Sequence, residues 1–256
     1  MHVATALSRM GHRIGVIDLD LRQKTLARYL ENRLTYLSKK GLDLATPDFR
    51  DLPEVEKRLL KPGENVYDHR LSAAVSELEP SNDFILIDCP GSHTRLSQVA
   101  HSLADTLVTP LNDSFVDFDL LAHVDGEGKN SLGPSVYSEM VWHARQLRAQ
   151  AGLPPIDWLV VRNRLGAQNM VNKQKMGDAL ARLGKRIGFR TAPGFSERVI
   201  FRELFPRGLT LLDLRAIGVK GLNISNVAER NVLIPASLRL RKLFVFAPRA
   251  AAITRT

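Results

Sequence analysis

Three apolar runs in this 256-residue chain end in polar groups suited to phosphate chemistry. The first is Val16-Ile17, followed by Asp18 and Asp20. The second is Phe84 to Ile87, followed by Asp88-Cys89-Pro90-Gly91. The third is Trp158 to Val161, followed by Arg162-Asn163-Arg164. A carboxylate at a strand tip, here Asp88, can hold the water shell of a magnesium ion bound to phosphates. A glycine three residues on, Gly91, lets a backbone N–H approach a terminal phosphate and report its presence. An aspartate in this place can also cap the next helix, but the Pro-Gly turn behind it favours the phosphate reading. Asp18 and Asp20 stand on alternate residues, so one can face a helical layer while the other faces a pocket. An acid in a pocket can position an attacking water or assist magnesium binding; a solvated acidic turn is the alternative. The amide of Asn163 both donates and accepts, which suits a base edge; a turn asparagine is the alternative.

These groups must be carried by strands alternating with helices. Val3, Leu7 and Met10 have helical spacing, and Gly11 sits at the expected C-cap. Strands are predicted at 13–17, 84–87, 106–109 and 158–161. Helices are predicted at 23–38, 68–78, 135–150, 168–187, 196–205 and 225–244, the last interrupted by Pro235. Residues 41–66 are polar and proline-interrupted and read as a surface excursion. Continuous apolar strands between helices predict an α/β fold with a mostly parallel sheet buried on both faces. In such sheets ligands bind beyond the carboxyl ends of the strands. No linker or repeat divides the chain, so a single domain over 1–256 is expected.

The composition is that of a globular protein, with 44% hydrophobic and 25% charged residues. No stretch has the apolar length of a membrane span, and the N-terminus does not read as a signal peptide. One cysteine, Cys89, excludes an internal disulfide framework and fits a reducing cytoplasm. A formal net charge of +9 favours polyanionic partners, nucleic acid first and an anionic membrane second. Basic residues gather on helix 168–187, at Lys173, Lys175, Arg182, Lys185 and Arg186, with Arg198 and Arg202 beyond the Pro193-Gly194 turn. Lys173, Lys175, Arg198 and Arg202 are the candidate contacts to a DNA backbone. Few aromatic residues interleave them, so stacking on single strands is not suggested. A solvated helix face is the alternative.

The run Val16 to Gln23 is similar to the switch I segment of ParA/MinD-type ATPases, and Asp83 to Gly91 resembles their Walker B strand and switch II. A narrower resemblance is to the MipZ branch. It is carried by Asn112 to Asp119, by Asp157-Trp158 through Arg162-Asn163-Arg164-Leu165, by Arg202 to Pro206, and by Gly208 to Leu214. The resemblance covers about residues 2–227 and implies a P-loop NTPase fold and a Mg2+-dependent ATPase that works as a spatial switch for cell division. It implies an ATP-dependent sandwich homodimer that binds double-stranded DNA nonspecifically, associates with a ParB-like partitioning protein and inhibits FtsZ assembly. The expected place is the cytoplasm, on the nucleoid. By position, Asp20 corresponds to the acid needed for hydrolysis, Asp18 to its companion and Asp88 to the Walker B acid that holds Mg2+ through water. Gly91 corresponds to the γ-phosphate sensor and Asn163 to an adenine contact.

Two departures shape the remaining expectations. The pattern G-x-x-x-x-G-K-[S/T] is absent, and Gly126-Glu127-Gly128-Lys129-Asn130 lacks both a preceding strand and the magnesium-binding hydroxyl. The resemblance implies that the opening strand and phosphate loop belong just upstream of His2. A start codon placed too far downstream is the expectation, with a truncated paralogue as the alternative. Without that strand, unpaired sheet edges are expected, and without that loop ATP binding is expected to be poor. A truncated, non-hydrolysing regulator binding DNA or FtsZ is therefore a second functional reading. The match also fades after about Ala228, leaving residues 229–256 as a divergent tail. There Leu240, Leu243 and Phe244 could form the apolar stripe of a membrane-docking helix, as in a MinD-like membrane-associated ATPase. A final helix packed on the body is the preferred alternative, so a membrane partner is not expected.

Overall fold

A computed structural model describes residues 1–54, 60, 64–112, 114–124, 131–165, 170–192, 194–219 and 243–246. The chain forms two compact units. The first comprises 1–88 and 198–243, and the second 89–197 and 244–256.

In the first unit, β1 (Ile14–Asp18) lies between β2 (Asp48–Arg50) and β3 (Phe84–Asp88), all parallel. Val16, Ile17, Ile85, Leu86 and Ile87 are buried, as continuous apolar runs require in a parallel sheet covered on both faces. The helices of this unit are α1 (His2–Arg9), α2 (Thr25–Lys40), α3 (Val66–Leu78) and α8 (Val199–Leu204), which runs into a 3₁₀ turn at Phe205–Arg207. Asn65 caps α3 by accepting a hydrogen bond from the Tyr67 N–H. β2 lies inside the segment expected to be a surface excursion. Three residues with two charges carry no apolar pattern, and the strand exists through its pairing with β1.

The second unit has the parallel order β9 (Leu243–Phe246), β4 (Thr106–Asn112), β7 (Asp157–Asn163) and β8 (Arg190–Ala192). Its helices are α4 (Arg95–Leu103), the short α5 (Phe115–Phe118), α6 (Val136–Gln150) and α7 (Met170–Ile187). An antiparallel hairpin joins β5 (Ala122–Val124) and β6 (Ser131–Pro134). The weak amphipathicity of α6 now has a cause. Its buried stripe, Tyr137, Val141, Ala144 and Arg148, contains an arginine. Arg148 donates to the carbonyls of Ser102, Leu103 and Pro154 and pairs with Asp105, so it satisfies the C-terminal turn of α4.

The tail corrects two expectations. Leu243 and Phe244 lie in a strand, not a helix, so they cannot form the apolar stripe of a membrane-docking helix in this fold. Phe244, Val245 and Phe246 pair with Thr106, Leu107 and Val108. Val245 is fully buried, and a Leu-Phe-Val-Phe run suits a half-buried strand. Unpaired sheet edges were expected; one edge of β4 is covered by β9. Residues 220–242, including Leu240, lie outside the described residues. No described helix is long and apolar enough to cross a membrane.

One buried ion pair ties the two chain segments of the first unit together. The Arg33 and Asp213 side chains are 0% and 1% exposed and approach to 2.8 Å. All five guanidinium N–H groups of Arg33 are used. They reach both Asp213 oxygens, the carbonyls of Gly208 and Ala45, and Thr46 Oγ1. Thr210 donates twice more to Asp213. Burial pushes the Asp213 carboxyl up, but these bonds and the Arg33 charge outweigh it, and the net shift is down. Gly208 has φ 61°, and a Cβ there would lie 2.1 Å from the Arg33 backbone nitrogen, so only glycine fits.

Removing one partner strands a buried charge. Arg33→Met or Asp213→Asn is expected to lower unfolding stability by about 3–5 kcal/mol. In urea unfolding, the combined Arg33→Met, Asp213→Leu variant should lose less than the sum of the single changes.

Candidate functional site

The acids singled out in the sequence meet at the carboxyl edge of the first unit. The register of β1 against β3 places Asp18 beside Asp88, on neighbouring strand tips. The chain then passes Leu19, whose N–H donates to the Asp88 carbonyl at 2.8 Å, and turns through Asp20.

Asp18 has a defined local role. One of its oxygens accepts from the Asp20 N–H at 2.9 Å. The other accepts from the N–H groups of Leu26 and Ala27, at 3.0 and 3.1 Å. These last belong to the first turn of α2, whose N-cap residue, Lys24, is left-handed and makes no side-chain cap bond. Asp18 thus caps α2 from the strand end. It is the member of the pair that faces the helical layer. Burial pushes its carboxyl up, the three amide bonds pull it back, and the net shift is up.

Asp20 is half-buried, and one oxygen accepts from the N–H groups of Arg22 and Gln23 at 3.3 and 3.1 Å. This local turn holds the acid at the loop beyond the strand tip. Asp88 is also half-buried. Its carboxyl is pushed up to about 6, first by burial. The Met1 amino group pulls it down, and the Asp18 and Asp20 charges push it up again. No hydrogen bond offsets that burial. Among the described residues no group of three or more His, Cys, Asp or Glu could hold a metal ion alone. One or two carboxylates at a strand tip nevertheless match the way magnesium is usually held beside phosphates, where water and phosphate oxygens complete the shell.

The second unit contributes a different pair. Asn163 ends β7 and lies in register with Asn112, the last residue of β4. Sequence reasoning missed Asn112 because it ended the strand at Thr109, before Pro110, and a proline argues against a strand interior. In the fold Pro110 lies past the stretch paired with β9. The Asn112 N–H donates to Asp117 at 3.1 Å, which anchors the turn that follows. Gly91 is half-buried in the loop between Asp88 and α4, whose N-cap Thr94 accepts from the Ser97 N–H. Lys175 is exposed on α7 in the second unit, where Lys173 also lies. Arg198, half-buried, and Arg202, exposed, flank and occupy α8 in the first unit. Gly126 to Asn130 lie outside the described residues.

Parallel strands flanked by helices, with acids at adjacent strand tips, define an α/β protein of the kind that takes its ligand beyond the carboxyl ends of the strands. Solved structures agree on the fold. An ATP complex of a McdA variant from Cyanothece matches with a TM-score of 0.58 at 16% identity, covering 94% of this chain and 93% of that one. The MinC:MinD cell division complex of Aquifex aeolicus matches with a TM-score of 0.51 at 16% identity, covering 91% and 86%. No curated protein matches significantly. The family model for the ATPase MipZ matches residues 1–241, and the chain belongs to the MipZ family. That membership places it in a family of ATPases.

The raised Asp88 carboxyl predicts a pH dependence of stability. Its folded value, about 6, lies above the unfolded value of 3.8. The folded state therefore holds the proton more tightly, and stability falls as pH rises from about 4 to about 6. Asp88→Asn should remove that fall and be more stable than the native chain at pH 7.5. Urea midpoints measured from pH 4 to pH 8 check this.

Proposed function

We propose that this protein is an ATP-dependent spatial regulator of cell division that switches between monomer and homodimer. The observation that carries the reading is the register of Asp18 beside Asp88, with Asp20 pinned in the following loop, in a chain of an ATPase family. Asp88 would hold Mg2+ through water. The ion would neutralise charge developing on the terminal phosphate. Asp18 keeps the loop and α2 in place, and Asp20 orients the attacking water. Gly91 senses the γ-phosphate, and Asn163 contacts adenine. The dimer binds double-stranded DNA through Lys173, Lys175, Arg198 and Arg202 without reading bases, associates with a ParB-like protein and restrains FtsZ assembly. It works in the cytoplasm, on the nucleoid.

The test is a titration of the native protein with a fluorescent ATP analogue and Mg2+, together with phosphate release and dimer lifetime. Asp88→Asn should weaken binding by at least about tenfold. Asp20→Ala should leave binding intact, slow hydrolysis by about 10²-fold or more and prolong the dimer. Unchanged hydrolysis in Asp20→Ala removes its assigned role. A non-hydrolysing regulator that binds DNA or FtsZ is the second reading. Failure of the native protein to bind Mg-ATP selects it.

DNA binding has its own signature. Replacing Lys173, Lys175, Arg198 and Arg202 by alanine should weaken binding to duplexes of any sequence alike. Each lost phosphate contact should also reduce the slope of log K against log salt by about 0.9.

A further inference from the structure

The second unit carries a cavity of about 450 Å3 between α6 and the end of α7, apart from every strand tip discussed above. Its rigid side is formed by Trp158 and Arg145. Trp158 is buried, donates to Thr109 at 3.0 Å and packs edge-on against Phe189. The Arg145 guanidinium lies 5.5 Å over the Trp158 ring and donates to the Ile187 and Gly188 carbonyls, the first at 2.9 Å. Arg145 is therefore a fixed wall, its hydrogen bonds committed to the C-terminal end of α7.

The outer side is open. Trp142 lines the cavity yet is 62% exposed. Arg186 is exposed in the same lining, with Lys185 and Arg182 exposed on the same two turns of α7. The lining contains one acid, Glu139. The result is a rigid apolar cleft with an exposed tryptophan and a basic margin. A volume of this size takes one or two large side chains. Tryptophan and arginine beside a preformed cleft are the residues that dominate protein–protein binding energy.

We propose that this cleft docks an acidic segment of a partner protein, inserting one aromatic or large aliphatic side chain against Trp142 and Trp158. Flanking carboxylates would pair with Arg186 and the neighbouring cations of α7. The proposal goes beyond the nucleotide reading and does not depend on it.

Selection from a random 12-residue peptide display library tests it, with the Trp142→Ala variant as counter-screen. Enriched peptides are expected to carry an aromatic or large aliphatic residue flanked by Asp or Glu. The chain has two tryptophans, both in this lining, so intrinsic fluorescence reports the cleft. A selected peptide should shift the emission saturably. Arg186→Glu and Trp142→Ala should each weaken binding at least tenfold while circular dichroism and thermal midpoint stay unchanged. Absence of enrichment over the counter-screen overturns the proposal. So does enrichment of basic peptides, or equal affinity for the Arg186→Glu variant. A single-stranded oligonucleotide that shifts the same fluorescence with no selected peptide competing also overturns it, in favour of a nucleic-acid surface.

Discussion

The carboxylate of Asp18 holds the acidic corner of this protein in place. It sits at the end of a parallel strand, buried, beside a second acid in register on the next strand. Such a group is unfavourable there unless donors surround it. Three backbone N–H groups do so, two from the first turn of α2 and one from Asp20. The same bonds that keep the charge tolerable therefore fix the strand-to-helix loop and the start of α2. The placement of Asp20 follows from the capping of α2.

A second constraint works halfway along α2. Arg33 projects from its middle into a nest of carbonyls closed by Asp213, and Gly208 brings the returning chain against the Arg33 backbone. A buried pair of this kind contributes little beyond what apolar residues would supply, but it tolerates only one arrangement of its donors and acceptors. It explains why the run Gly208 to Asp213 has the composition it has. Gly208 supplies a left-handed turn with no side chain, Thr210 a double donor and Asp213 the acceptor. α2 is thus held at its start by the strand tip and along its length by the C-terminal segment.

The fold class and the acidic tips were legible because both rest on local pattern. Continuous apolar runs ending in Asp18 and Asp88 name buried parallel strands, and the order of elements follows from their alternation with helices. The misses have separate physical causes. α4 was invisible because its buried stripe contains Ser97 and His101, whose polar groups are satisfied within the fold. β2 and β8 are three-residue strands defined by pairing, with charged ends. The first two residues of β9, Leu243 and Phe244, were read as the end of a helix over 225–244. Phe244 to Phe246 pair with β4, about 140 residues earlier in the chain. Arg33 and Arg148 have no local mark in the sequence, since nothing nearby shows which arginine will make five buried hydrogen bonds, as Arg33 does, or four, as Arg148 does. The family-specific strings were recognisable before their purpose was, and Gly208 with Asp213 is the clearest case.

The two pairs of strand tips differ in a way that bears on chemistry. Asn112 and Asn163 are neutral, each able to donate and accept. Asp18 and Asp88 are two like charges on adjacent strands, where neighbouring chains lie roughly 5 Å apart. The protein offers Asp18 three amides and offers Asp88 none, which pushes the two carboxyls apart in character. Asp18 is satisfied from within, whereas Asp88 is left with a raised affinity for a proton. A group in that condition gains most from any cation that can take the proton's place. A divalent ion carried in with phosphates would do so, releasing the proton and relieving the repulsion together. On this argument the strain at Asp88 is local and confined to one side chain, because Asp18 has already secured the backbone around it.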